Sequence, residues 1–262
     1  MEKEEHEYRS AELKHKSDTL IYGIRPVEEA VRAGKEIESV FINDKAKGER
    51  INFLKKLLKE NNISWREVPY GKLNRLTRMN HQDVVCIISP ISYHSMHSVI
   101  ASVFDRGEAP LILILDRITD VRNFGAITRS AECAGVHAIV IPHRGAAQIN
   151  SDAVKTSAGA LNLIPVCREK NLNDVIDYLK ESGLQIISCT EKAKEEYFKT
   201  DFKIPTAIIL GSEEDGISAE LLKKSDRRVS IPLSGKIESL NVSVAAGIIL
   251  YEAVRQRSSV QE

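Results

Sequence analysis

The chain has 262 residues, 42% of them hydrophobic, and its 37 lysines and arginines balance 37 aspartates and glutamates. That length and apolar content build one large or two small globular domains, while zero net charge excludes any argument for nucleic acid from the total, leaving only local distribution. No apolar run approaches the roughly 18 residues that span a bilayer, and four scattered cysteines (Cys86, Cys133, Cys167, Cys189) without a CxxC pair read as reduced, mostly buried thiols of a soluble cytoplasmic protein.

Residues 1–18, opening MEKEEHEYRS, are charged and lack apolar periodicity, which reads as a flexible tail and not as a signal peptide. From Thr19 the pattern alternates: strand TLIYGI, a helix opening near Pro26, strand IESVFIN, helix INFLKKLLKENN, strand ISWREV, a short helix KLNRLT and strand VVCIIS. Strands of this length between helices with apolar residues at i, i+3 and i+4 predict a compact α/β unit over 19–89. Between Asp44 and Arg78 it carries ten basic residues against four acidic. Such a stripe suits phosphates as well as a solvated helix face. Residues 90–108 read as the connection between two domains and include an amphipathic segment. His94 and His97 lie within it, with no further ligand at metal spacing.

A second unit opens with LILIL, a continuous apolar run that suits a strand covered on both faces. Helix and strand candidates then alternate: NFGAITRSAECAG, HAIVIP, SDAVKTSAG, LIPVC, LNDVIDYLKESG, LQIISC, TAIILG, ISAELLKKS, RRVSIP and NVSVAAGIILYEAVRQR. This predicts a mostly parallel sheet over 109–257 with helices on both sides and ligands at the carboxyl ends of the strands. Residues 258–262 read as a C-terminal tail.

Three stretches carry chemistry. In DRITDVRNFGAITRSAECAG, Asn123 suits a helix N-cap and Gly135 a stop, and Gly125 with its small neighbours lets another segment approach closely. Arg129 points about 200° away from the apolar face marked by Ile127. It is either a solvated surface arginine or a contact to phosphate or hydroxyl. In IILGSEEDGIS a buried-type strand stops at Gly211, and Glu213 precedes Gly216 and a new helix. Lacking GK[ST] and GxGxxG, this turn argues against triphosphate and nicotinamide nucleotides. Glu213 reads equally as a first-turn carboxylate and as a site residue. In IPLSGKIESLNVSVAAG, Ser239 and Asn241 are candidate helix caps and Ser243 falls in the first turn. The helix that follows is apolar in every direction and calls for cover all round, for which a second copy of the chain is the economical partner.

Together and in this order, these motifs resemble those of the SpoU (TrmH-like) family of RNA ribose 2′-O-methyltransferases in the SPOUT class. The region 19–89, with IYGIRPVEEAV and HQDVV, is similar to the small L30e-like RNA-binding domain that some members carry. The arrangement is most like bacterial enzymes that methylate a guanosine ribose in 23S ribosomal RNA. The resemblance implies a parallel SPOUT sheet with a C-terminal deep trefoil knot, a homodimer formed through the C-terminal domain, S-adenosylmethionine as cofactor, RNA as partner, and neither metal nor membrane. It places the cofactor on Leu210, Gly211, Gly216, Ile231, Leu233 and Leu240. Arg129, Asn123, Ser243, Asn241 and Glu213 match the polar catalytic positions, with Arg129 reaching from one protomer to the cofactor of the other. A guanidinium has no acceptor and a pKa above about 12, so Arg129 is expected to hold a phosphate and stabilise the developing alkoxide, not to act as base. Transfer RNA as substrate, a non-catalytic RNA-binding ribosome assembly factor, and an unrelated small-molecule-binding domain are the competing readings.

Overall fold

The computed structural model describes residues 20–258. The tail expected over 1–18 and all but the first residue of 258–262 lie outside the described residues. The described chain forms two compact units, one of the residues up to Ser92 together with Ile149–Ser151, the other of Tyr93–Gln148 and the residues from Asp152 onward.

The first unit contains β1 (Leu20–Tyr22), α1 (Ile24–Arg32), β2 (Ile37–Asn43), α2 (Glu49–Glu60), β3 (Trp65–Val68), α3 (Tyr70–Leu76) and β4 (Val84–Ile88). Its sheet has the order β1-β4-β2-β3, parallel only between β2 and β3. Strand alternation sends Val40, Ile42, Val84 and Cys86 to one face, where Val27 and Val31 of α1 and Leu54 and Leu58 of α2 cover them. Phe41 and Val85 point the other way, against Leu73 of α3. The apolar spacing of each helix therefore matches one face of a two-sided sheet.

The second unit begins with α4 (Met96–Asp105), inside the stretch read as a connection. Met96, Ile100 and Val103 are buried, and the first two join the core beneath the large sheet. Then follow β5 (Leu111–Asp116), α5 (Val121–Cys133), β6 (Ala138–Pro142), α6 (Ser151–Thr156), a 3₁₀ turn (Ala160–Asn162), β7 (Val166–Glu169), α7 (Leu172–Glu181), β8 (Gln185–Cys189), β9 (Glu195–Glu196), β10 (Thr206–Gly211), α8 (Ala219–Lys224), β11 (Arg227–Ser230) and α9 (Val242–Ser258). The seven strands run parallel in the order β7-β6-β5-β10-β8-β11-β9. Ile112, Ile114, Ala207 and Ile209 face α4, α7 and α8, whereas Leu113, Leu115, Ile208 and Leu210 are equally buried on the opposite face. Each fully buried Leu or Ile contributes roughly 1.5–3 kcal/mol, so continuous apolar strands of this kind hold the sheet from both sides.

Two local readings are corrected. Asn123 does not cap its helix: α5 begins at Val121, and the carboxylate of Asp120 accepts the Asn123 backbone N–H at 2.8 Å. A carboxylate three residues upstream outcompetes the amide for the cap and frees the Asn123 side chain. LIPVC is a strand only from Val166, because the N–H groups of Leu163 and Ile164 are taken by the Ala160 carbonyl and Pro165 has none.

Gly125 permits the close approach its position suggested. A Cβ there would lie 2.7 Å from Cβ of Thr156 and 3.1 Å from the Ser157 nitrogen. Helix α9 buries Val242, Ala246, Ile249, Leu250 and Ala253, while Val244 and Tyr251 remain about half exposed. Within one chain, the all-round cover expected for this helix exists on one side only. Arg257 donates to the carbonyls of Ala109, Pro110, Phe202 and Ile204, tying the end of α9 to the approaches of β5 and β10. No helix among the described residues is long and apolar enough to cross a membrane.

Candidate active site

Strands β5 and β10 are parallel neighbours whose last paired residues are Asp116 and Gly211. The loops leaving both strands therefore emerge side by side at the carboxyl edge, where open α/β sheets bind ligands.

Gly211 is sterically required. A Cβ at this position would lie 2.1 Å from the Gly216 carbonyl carbon and 2.3 Å from the Ile217 nitrogen. The loop folds back on itself here: Ser212 and Gly216 exchange backbone hydrogen bonds, and the Asp215 N–H donates to Ser212 Oγ at 3.1 Å. Arg117 holds the loop from outside, donating from Nη1 to Asp215 at 3.0 Å and from Nη2 to the Gly216 carbonyl at 3.1 Å. The ion pair is solvent-exposed and contributes little energy, so its value is positional. The buried Asp116 carboxylate accepts the Ser218 N–H at 2.7 Å, fixing the far end of the same loop. Asp116, Arg117 and Asp120 are structural determinants that sequence reasoning missed. A carboxylate directly after a buried apolar strand was the available signal for Asp116.

Next to this loop lies a cleft of about 330 Å³. Leu210, Gly211, Gly216, Ile231, Leu233 and Leu240 all line it, so the six residues matched to cofactor contacts, spread over 31 positions, share one cavity. Ile217 and Val242 extend its apolar wall. Glu191, Glu213, Glu214, Asp215 and Glu238 supply carboxylates against the single ammonium of Lys192. Cys189 also lines the cleft, but burial pushes its thiol up to about 12, which keeps it protonated and unreactive at neutral pH.

Four of the five polar candidates meet at the cleft's edge. Asn241 caps α9, its Oδ1 accepting the Ser243 N–H at 2.9 Å and the Ser243 hydroxyl at 2.5 Å. Its Nδ2 consequently points outward and donates to Glu213 Oε1 at 2.8 Å and to Asn123 Oδ1 at 3.0 Å. Asn123 Nδ2 completes the ring, donating to the same Glu213 oxygen at 3.0 Å. Ser239, the other candidate cap, lines the cleft instead. Arg129 stands apart: six residues after Asn123, it lies roughly 120° round the helix and about 9 Å along it. Its side chain is exposed and has no hydrogen-bond partner among the described residues.

The chain matches the SpoU rRNA Methylase family over residues 110–251 and the RNA 2′-O ribose methyltransferase substrate binding family over residues 20–94. It is 34% identical over 243 residues to a putative TrmH family tRNA/rRNA methyltransferase of Staphylococcus saprophyticus, covering 93% of this chain and 98% of that protein. Among solved structures, the AdoMet complex of the SpoU methyltransferase AviRb from Streptomyces viridochromogenes is similar, with TM-score 0.59 and 27% identity over 92% of this chain and 90% of that one. An AdoMet-bound rRNA methyltransferase from Sinorhizobium meliloti aligns with TM-score 0.57 and 26% identity, again over 92% and 90%.

Proposed function

The chain belongs to the SpoU rRNA methylase family of RNA methyltransferases, and from that membership we propose that it methylates a ribose 2′-hydroxyl in RNA with S-adenosylmethionine as donor. The observation that carries the reading is the Asn123–Glu213–Asn241–Ser243 ring beside the cleft lined by Leu210–Gly216, Ile231, Leu233 and Leu240.

The cleft fits the donor. Leu210, Ile231, Leu233 and Leu240 offer apolar surface to an adenosine, the glycine turn brings backbone groups to its floor, and carboxylates suit a ligand bearing positive charge. S-adenosylmethionine supplies an electrophilic methyl on a sulfonium, a chemistry that needs no metal. What the chain supplies is placement, and oriented reactants recover roughly 7–11 kcal/mol of barrier. Glu213, Asn123 and Asn241 fix one another so that the donor loop and the start of α9 form a single rigid wall.

Arg129 serves the RNA. Its guanidinium holds a phosphate and stabilises the 2′-oxygen as charge develops. Because it stands away from the ring of its own chain, it completes the site of a second copy. The half-exposed Val244 and Tyr251, with the partly buried Ile248 between them at i, i+4, i+7 spacing on α9, are the surface proposed for that homodimer. The family's deep trefoil knot is proposed for the carboxyl-terminal segment, which would thread through a loop of the chain. A guanosine of 23S rRNA in the cytoplasm is the proposed substrate, on the strength of the appended N-terminal unit; transfer RNA is the alternative.

Methyl transfer from labelled S-adenosylmethionine to total RNA tests the activity. Loss of one 2′-O-methyl guanosine from 23S rRNA in a strain lacking the protein supports the substrate, and loss from a transfer RNA replaces it. Arg129→Lys retaining its full single-turnover rate would remove Arg129 from the mechanism.

A further inference from the structure

The loop between α3 and β4 is built in an unfavourable conformation. Gln82 and Asp83, consecutive and both bearing Cβ atoms, have φ of 46° and 68°, in the left-handed region that L residues avoid. The surroundings enforce this geometry. Asn43 donates from Nδ2 to Asp83 Oδ1 at 2.6 Å and from its backbone to the Asp83 carbonyl at 2.9 Å, and the Asp83 N–H donates to His81 Nδ1 at 3.1 Å.

What the strained turn immobilises is His81. The ring is 2% exposed; with Nδ1 accepting from Asp83, Nε2 carries the proton and donates to Asn74 Oδ1 at 3.1 Å. A buried, doubly bonded imidazole cannot rotate, and Tyr70 rests on it, with ring centroids 4.9 Å apart and planes at 52°. Tyr70 is nevertheless 53% exposed, so one side of its ring is backed by a fixed support while the rest faces solvent. An aromatic already held in place meets the ordering cost of stacking before a ligand binds.

The charge around Tyr70 selects the ligand. From Pro69 to Gln82 the chain has no acidic residue, and Lys72, Arg75 and Arg78 are all exposed without an ion pair among the described residues. Cations without a carboxylate partner beside an open aromatic face, Lys72 among them with its ammonium 5.7 Å from the Phe41 ring centroid, are the components of a single-stranded nucleic-acid site: phosphates meet the cations and a base stacks on the ring. In an A-form duplex the bases stack on each other and offer no free face, so the ring has a use only for an unpaired nucleotide.

We propose that the α3–β4 surface of the first unit binds an unpaired stretch of the substrate RNA, with Tyr70 as the stacking platform for one base, His81 as its fixed support, and Lys72, Arg75 and Arg78 engaging the flanking phosphates. The proposal rests on the RNA methyltransferase reading above and names the structural class of RNA which that reading leaves open.

The test uses the full chain, a fluorescent 12-nucleotide oligouridylate and a fully paired 12-base-pair RNA duplex. Tyr70→Ala is expected to weaken oligouridylate binding by about fivefold to 150-fold, the range for losing one stacked base, while duplex binding, S-adenosylmethionine affinity and the thermal midpoint stay unchanged. Tyr70→Trp retains the affinity. Arg75→Ala with Arg78→Ala is expected to weaken both RNAs and lower the salt slope for the single strand by about 1.4, some 0.7 for each lost phosphate contact. Tyr70→Ala binding oligouridylate as tightly as the parent overturns the platform and leaves the methyltransferase reading intact. A parent chain that does not bind oligouridylate likewise overturns the platform, while the methyltransferase reading stands or falls separately on methyl transfer to total RNA.

Discussion

Asn123 and Asn241, 118 positions apart in the chain, are joined side chain to side chain by a 3.0 Å hydrogen bond from Asn241 Nδ2 to Asn123 Oδ1. The bond links the first turn of α5 to the cap of α9, and both residues converge on the same oxygen of Glu213.

Two substitutions separate the two duties of Asn241. Asn241→Asp keeps the acceptor that caps α9 but loses the amide donor and sets a second carboxylate against Glu213; its stability should change little while methyl transfer drops at least tenfold. Asn241→Ala loses the cap as well and should cost a further 0.5–2 kcal/mol or so in urea unfolding. Equal stability of the two variants would show that the cap contributes nothing.

Gly211→Ala forces a methyl group into the Gly216 carbonyl carbon and opens the loop that floors the cleft. Calorimetry should read at least a tenfold loss of S-adenosylmethionine affinity, with far-UV circular dichroism unchanged because the strand ends at this residue. Unchanged affinity would mean the donor does not rest on this turn.

His137 gives the second unit a pH dependence. Its Nδ1 accepts the Leu111 N–H at 2.9 Å, so the proton sits on Nε2, which faces Glu108 at 3.0 Å. Burial holds the imidazole below the usual histidine value of 6.5, outweighing the attraction of Glu108. A folded pKa below the unfolded one means that the unfolded chain protonates first, so this contribution is complete above about 6.5 and is lost as pH falls below it. The Arg106 guanidinium, with help from His137, holds Glu108 down to about 2, so its contribution persists above about 4.5 and fades toward 2. The urea midpoint should fall as pH is lowered from 6.5 to 5, and His137→Phe should flatten that slope; an equal slope in both proteins would exclude His137 as its source.

Tyr251→Arg places a charge on the exposed stripe of α9 without touching its buried side. Light scattering at micromolar concentration should show a dimer for the parent and a folded monomer for the variant, with methyl transfer lost in proportion. A monomeric parent would dismiss the stripe as an interface.

Much of the fold is legible in the residues themselves. LILIL and TAIILG have no polar alternation, which is why they read as strands covered twice, and they prove to be the central pair β5 and β10. The cleft residues Gly211, Ile231 and Leu240 are legible only through the resemblance of LGSEEDG and IPLSGKIESLNVSVAAG to the family's motifs; of the three, only Gly211 carries a local signal, a glycine ending a buried-type strand. Arg117 is not: its clamp depends on Asp215, 98 positions away, and RITDVRN has no periodicity to mark it. Helix α4 is half legible, since Met96, Ile100 and Val103 have helical spacing, but spacing cannot say which core they enter. The cap of α5 is misread because Asn123 and Asp120 are both good caps, and only the position of the first turn decides between them.

The carboxylates around the cleft bear on turnover. Glu191, Glu213, Glu214, Asp215 and Glu238 line the cleft proposed for a donor that carries a fixed positive sulfur and becomes a neutral thioether once the methyl has left. With the donor seated there, their field would attract the fresh molecule more than the spent one, and the discharged carrier would be released into a pool from which its replacement is preferentially drawn. Titration with each of the two should find the charged form tighter, by a margin that shrinks as salt is added. Self-inhibition by accumulated product would thereby be weakened through the electrostatics of the rim, without any moving part.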